Sequence, residues 1–160
     1  MDSRRIPDLG PRGEGWVLIQ VGLFVAIALA GLAGPAWRGA PRLAGVLFGV
    51  LAIGGGVLLT GRGILDLREN LTPFPKPMEG GRLVESGSYR LARHPIYGGA
   101  IIAAFGWGLA TASPLAVLGA LGLGIFFDLK SRREEIWLAE RYPDYPAYRT
   151  RTRRLIPWVY

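Results

Sequence analysis

From Trp16 to Trp37 the chain runs for 22 residues without a charge (WVLIQVGLFVAIALAGLAGPAW), and it does so again from Leu43 to Gly61. A third uncharged run, Pro95 to Phe127, is interrupted only by Ala112-Ser113-Pro114. A helix that crosses a bilayer needs roughly 20 apolar residues, because only a segment that satisfies its own backbone hydrogen bonds can enter hydrocarbon. The first two stretches meet that length outright. The third divides at Pro114 into two pieces of about 16 to 18 residues, which as a helical hairpin nearly cross. The expected fold is therefore an all-α integral membrane protein of about four transmembrane helices, the last two a short hairpin. A signal peptide is not expected from the first stretch, which is too long and precedes no polar domain.

The basic residues give the direction of the spans. Of 19 Lys and Arg, three precede the first stretch (Arg4, Arg5, Arg12) and Arg38 and Arg42 follow it. Six lie between the second and third (Arg62, Arg68, Lys76, Arg82, Arg90, Arg93), none interrupts the hairpin, and eight follow Phe127. The positive-inside bias places both termini and the 62–94 segment in the cytoplasm. The net charge of +7 is thereby a matter of topology, and a nucleic-acid partner is not expected. With no Cys and a single His, neither disulfides, thiolate metal sites nor multi-imidazole sites are available within the chain.

At 160 residues the chain has room for one domain. Residues 1–15 read as a loose polar tail and 16–160 as the domain. Gly54-Gly55-Gly56, costly in a water-exposed helix, points to close packing against a neighbour in the membrane. The alternating prolines of Asn70–Pro77 (NLTPFPKP) exclude regular helix and predict an extended connector along the interface. His94 before Pro95 is biased away from helix, and Pro95 suits a first helical position, so a helix start there faces the cytoplasmic segment and attracts anionic groups. Beyond Lys130 the chain is charged and aromatic: a helix continuing out of the fourth span, then a C-terminal cap carrying Trp137, Tyr142, Tyr145, Tyr148, Trp158 and Tyr160, residues suited to headgroup depth. The hairpin brings the 82–97 segment against the 128–135 segment, where a ligand can sit beneath the interface with lateral access from lipid.

Leu83-Val84, Gly87, Tyr89 and then Arg93-His94-Pro95-Ile96-Tyr97-Gly98 make a motif that, with Glu134-Glu135-Ile136-Trp137-Leu138 beyond the hairpin and Tyr142, Tyr145, Tyr148 and Pro157 after it, resembles the isoprenylcysteine carboxyl methyltransferases and related phospholipid methyltransferases. The resemblance covers about residues 57 to 160. It implies S-adenosylmethionine-dependent methyl transfer in a membrane-embedded helical fold, with no nucleotide-binding sheet. It further implies a cofactor held by Arg82, Leu83 and Val84, partly through backbone groups, with Tyr89, Arg93, His94, Pro95, Tyr97 and Glu134, and with Gly61 and Gly63 as a Gly-x-Gly at the end of the second span. Where the prenyl-cysteine enzymes carry an Arg four residues before the first Glu, this chain has Lys130, with Arg132 and Arg133 nearby. Lys130, Arg132 and Glu135 are the candidates for handling the acceptor.

The residue types suit this cofactor. A Glu can pair with its ammonium or ribose hydroxyls, and Arg93, His94 and the Pro95 helix start can serve its carboxylate. In-line methyl transfer depends on positioning. A carboxylate acceptor is already ionised, whereas an amine must first lose a proton, which would give Glu135 or a tyrosine more to do. Plainer readings stand beside these. Glu134 and Glu135 can be a solvated helix face paired with Arg132, Arg133 or Arg141; the tyrosines can be interfacial anchors; Arg149–Arg154 can contact lipid headgroups; Gly61 and Gly63 can simply end a helix. The expected acceptor is lipophilic or lipidated, in contact with membrane lipid, with carboxyl O-methylation ahead of lipid-amine N-methylation. Outside the methyltransferases, the alternatives are an NADPH-dependent membrane reductase, whose C-terminal part is similar in some sterol reductases, and a non-catalytic scaffold.

Overall fold

Apolar side chains surround the helices instead of lining one face. In the computed structural model, which describes residues 6–34, 37–38 and 40–160, the chain forms α1 (Glu14–Ala33), α2 (Ala40–Leu67), α3 (Pro95–Ala110), α4 (Pro114–Arg141) and α5 (Tyr145–Arg151). Arg4 and Arg5, counted above for topology, lie outside the described residues. No strand occurs among the described residues; one isolated parallel bridge joins Ala92 to Arg153. Leu18, Leu29 and Leu32 on α1, Leu47, Leu51 and Leu58 on α2, and Leu118, Leu121 and Ile125 on α4 are all exposed. Helices apolar on every side are solvated by lipid, and the protein is an integral membrane protein. Three segments are long and apolar enough to cross: Glu14–Ala33, Arg42–Asn70 and Pro114–Arg141. The 16 residues of α3 rise about 24 Å, short of a core about 30 Å thick.

The hairpin forms where the sequence breaks. Ala112 adopts a left-handed φ of 54°, and the Ser113 hydroxyl caps α4 by accepting from the Ala116 N–H while donating to the Ala30 carbonyl. The far end of α1 is thus tied to the hairpin turn. On its other side α3 packs antiparallel against α2 through two glycine pairs. A Cβ on Gly56 would lie 2.5 Å from the Gly99 carbonyl oxygen, and one on Gly106 would lie 2.7 Å from that of Gly49. Gly49 and Gly56 are seven residues apart, as are Gly99 and Gly106, so each helix presents its pair on one face. This is backbone-to-backbone packing that small residues alone permit. Of the Gly54-Gly55-Gly56 run, only Gly56 serves it; a Cβ on Gly54 or Gly55 would meet nothing.

Two boundaries differ from the sequence reading. The second helix continues past Gly61 and Gly63 to Leu67, because a glycine inside a well-packed helix costs only about 1 kcal/mol. The N-terminal segment is docked from at least Pro7 onward. The Pro7 carbonyl accepts from Trp16 Nε1, Asp8 pairs with Arg133, and the Arg12 guanidinium lies 4.2 Å over the Phe74 ring.

Candidate active site

The C-terminal end of α2, the N-terminal end of α3, the C-terminal half of α4 and the segments between them enclose a cavity of about 360 Å³, within the usual range for small-molecule sites. One wall is the connector, from Leu71 to Met78, which forms neither helix nor strand, in keeping with its prolines, and bends over 73–76 where an extended run was expected. Asn70 Oδ1 accepts from the Arg82 N–H at 3.0 Å and so turns the chain back for 82–84 to form the next wall. No hydrogen bond within the described residues uses the backbone N–H of Leu83 or Val84. The segment Gly87–Arg90 is pinned to α2 by Asp66, whose carboxylate accepts from both the Ser88 N–H and hydroxyl at 2.7 Å. That fixes Tyr89 in the cavity wall.

The polar groups converge from three elements. Tyr97, on the first turn of α3, donates to Glu134 at 2.8 Å and is stacked between His94 and Phe127, with ring centroids 5.4 and 4.5 Å away. His94 Nδ1 lies 3.7 Å from Glu134, and its buried Nε2 has no hydrogen-bond partner. Among the described residues, Glu134 is the one carboxylate on the cavity wall. Lys130 is fully buried, donates to the Gln20 amide oxygen on α1, and lies 5.0 Å from the Tyr97 ring centroid. Tyr145 and Tyr148 close the floor from α5. Tyr148 donates to the Tyr89 carbonyl at 2.7 Å, while the buried Tyr145 hydroxyl has no partner. Burial, with the Glu134 carboxylate adding to it, pushes the Tyr89 phenol well above its ordinary pKa. Burial does the same to Tyr145 and Tyr148. These phenols are neutral hydrogen-bonding groups and not bases.

Arg82, Leu83, Val84, Tyr89, Arg93, His94, Tyr97, Glu134 and Lys130 therefore all border one cavity. The other residues singled out in the sequence stand elsewhere. Pro95 is buried at the first position of α3, and Gly63 packs against Pro95 and Ile96. Gly61 borders a separate apolar groove. Arg132 pairs with Asp128 at 2.7 Å and reaches Tyr160. Glu135 lies outside the cavity at the centre of an ion cluster, accepting from Arg93 Nε at 2.8 Å and Arg154 Nε at 3.3 Å, with His94 Nε2 at 3.5 Å. Arg93 Nη1 is also committed, to the carbonyls of Arg149 and Thr152. With Ala92 bridged to Arg153 and the N–H groups of Arg93 and His94 donating to the carbonyls of Arg153 and Arg154, this cluster locks the C-terminal segment over the motif. Gly98 explains itself here, since the Leu155 carbonyl occupies the space a Cβ would need.

A sequence model of phospholipid methyltransferases matches residues 44–145, which takes in α2, α3, α4 and most of the cavity wall. The chain belongs to the phospholipid methyltransferase family. Enzymes of this family are membrane methyltransferases that use S-adenosylmethionine as methyl donor. Helix α1, the docked N-terminal segment and the C-terminal lock lie outside the match to the family. The chain is also similar to the cobalt-zinc-cadmium resistance protein CzcN of Cupriavidus metallidurans, at 36% identity over 77 residues, covering 47% of this chain and 35% of that protein. It thus spans about a third of the length of that relative.

The residues present fit the family's cofactor. Tyr145, whose buried hydroxyl has no partner, Glu134 with its carboxylate, and Leu83 and Val84 with their unused N–H groups all line the same space, as does His94, whose Nδ1 is on the Glu134 side and whose Nε2 is on the Glu135 side. Buried polar groups left without partners cost about 1–3 kcal/mol each, a cost that a polar ligand relieves. Of these groups, Tyr145 stood in the sequence as part of the Tyr-rich segment of the resemblance and as a candidate interfacial anchor, not among the cofactor residues. Gln20 and the connector residues went unnoticed as site residues because they come from elements distant in sequence.

Proposed function

We propose that this protein is an S-adenosylmethionine-dependent methyltransferase acting at the cytoplasmic face of a membrane on a lipophilic acceptor, with a carboxylate preferred over an amine as the methylated group. The observation that carries the reading is the convergence of Arg93, His94 and Tyr97 of the RHPxYxG motif with Glu134 and Lys130 on one cavity with an apolar groove beside it. In this reading Leu83 and Val84 bind cofactor through their backbone, and Glu134, oriented by Tyr97, pairs with its ammonium or ribose hydroxyls. His94 and Tyr145 supply further hydrogen bonds. When bound, the cofactor supplies an electrophilic methyl group on a sulfonium.

The chain's remaining task is to deliver a nucleophile in line with that methyl. A carboxylate needs no deprotonation, and the buried Lys130 ammonium attracts it. An amine would need a base, and the neutral phenols offer none. The groove supports a lipophilic tail: about 600 Å³ between Phe24 and Ile27 of α1, Val57 and Gly61 of α2, and Ala103 and Trp107 of α3, sharing Ile64 with the cavity. We place both termini and the cavity on the cytoplasmic side, following the basic residues, and α3 as a fourth, short crossing. The family match, described as phospholipid methyltransferase, favours a second reading, N-methylation of a lipid amine.

Transfer of a labelled methyl group from S-adenosylmethionine to N-acetyl-S-farnesylcysteine and to dioleoylphosphatidylethanolamine in the same vesicles tests the choice. Label on the cysteine carboxylate supports the first reading. Label on the amine alone replaces it with the second.

A further inference from the structure

In α1, Gln20 is the one polar side chain between Trp16 and Gly34. An amide at that depth costs free energy unless it is partnered, and intramembrane polar residues are usually functional. Its position is set from both sides. Trp16 and Phe24, one helical turn before and after it, pack on Phe126 and Phe127 of α4 with ring centroids 5.5 and 6.2 Å apart. The same face of α1 therefore presents Gln20 to α4 one turn beyond those rings, where Lys130 stands, and the Lys130 ammonium donates to Gln20 Oε1 at 2.5 Å.

A lysine has only donors, so the amide oxygen must face it. That leaves both N–H groups of the Gln20 amide without a partner among the described residues, on a residue that borders the cavity. Lys130 itself is 1% exposed and has no carboxylate within 4.0 Å among the described residues. Its other close neighbours are the rings of Tyr97 and Phe127. A buried cation with no carboxylate in contact is expensive; Glu134 acts on it only from beyond that distance, and here the ammonium adjoins amide donors on the wall of a cavity open to ligand.

We propose that Gln20 is a specificity residue: with Lys130 it forms a two-residue site for an anionic group on the acceptor, a carboxylate or a phosphodiester. The inference rests on the methyltransferase reading for its biological meaning, but it assigns to α1, outside the match to the family, a part of substrate selection. The amide fixes the ammonium and adds neutral donors beside it. A flexible lysine, which alone is a point charge, thereby gains the directionality that a guanidinium carries by itself.

The test is competitive and direct binding of matched amphiphiles to detergent-purified protein by calorimetry. N-acetyl-S-farnesylcysteine and its carboxamide differ only at the carboxylate; dioctanoylphosphatidylethanolamine and dioctanoylglycerol differ by the phosphoethanolamine group. S-adenosylhomocysteine binding is measured in parallel. The wild type is expected to prefer the charged member of at least one pair by about tenfold, and which pair responds identifies the anion. Gln20→Met should reduce that preference to within about twofold while leaving S-adenosylhomocysteine affinity unchanged. Gln20→Glu, which supplies an internal counter-ion and keeps the pair together, should abolish it even if the Met variant folds poorly. A Gln20→Met protein that retains the tenfold preference overturns the proposal. So does one whose S-adenosylhomocysteine affinity falls instead, since the pair would then serve the cofactor's own carboxylate. Failure of the wild type to bind S-adenosylhomocysteine would count against the methyltransferase reading alone, because the amphiphile pairs report on Gln20 without it.

Discussion

At the residue scale, charge is arranged in two compartments that touch at His94. On one side lies the cavity with Glu134 and Lys130; on the other lies the cluster in which Glu135 gathers Arg93 and Arg154. Neighbouring glutamates thus face opposite tasks, one toward ligand and one toward the C-terminal segment. Removing the second should be structural in effect. Glu135→Ala leaves Arg93, 9% exposed, without its ion partner and is expected to cost about 3–5 kcal/mol, read as a lower thermal midpoint in detergent. An unchanged midpoint would show that the cluster is not what secures the C-terminal segment. The tyrosines give a pH test. Their folded-state pKa values are raised, so the stability they contribute is complete below the unfolded value of about 10 and is lost as pH rises above it. Melting midpoints from pH 9 to 11 should fall, and Tyr145→Phe should make the fall shallower. An identical slope in the variant would place that phenol outside the effect.

At the scale of elements, glycines set distances that no other residue allows. Gly98→Val would drive a side chain into the Leu155 carbonyl and displace the C-terminal lock, at about 1–3 kcal/mol; cofactor affinity should fall with it, through His94. A Gly13→Val change should loosen the connector from outside. Gly13 has φ +84°, and a Cβ there would lie 2.8 Å from Pro75 Cδ. Limited proteolysis within 71–78 is expected to accelerate, and an unchanged rate would mean that the docked N-terminal segment does not brace that wall. What the sequence made legible follows the same division. The uncharged runs and the break at Ala112-Ser113-Pro114 located the helices, because span length and proline chemistry are local. The cavity wall from Arg82 to Tyr97 was visible only through a motif resemblance, and Gln20 was not visible at all. Nothing in the apolar residues that surround it between Trp16 and Gly34 says which residue of another helix it will face. Gly63 misled as a helix end for a related reason: glycine at a close approach and glycine at a stop look alike until the neighbour is known, while at Gly61 a Cβ would meet nothing.

At the scale of the whole molecule, lipid surrounds three long helices, the family-matched segment provides most of the cavity, and α1 adds Gln20 to its wall. The division predicts separable effects. Filling the groove, for example with Val57→Trp, should raise the KM for long-tailed acceptors several-fold while sparing cofactor affinity, whereas changes on the cavity wall should do the reverse. The central claim is that the space bounded by Val84, His94 and Glu134 is a cofactor site. Calorimetric titration of S-adenosylhomocysteine into detergent-purified wild type, Glu134→Ala and Glu140→Ala, the last on the exposed side of α4, tests it most directly. Binding to the wild type and to Glu140→Ala with equal affinity, weakened at least tenfold in Glu134→Ala, is the predicted result. Equal affinity in all three, or no binding to folded wild type, would contradict it.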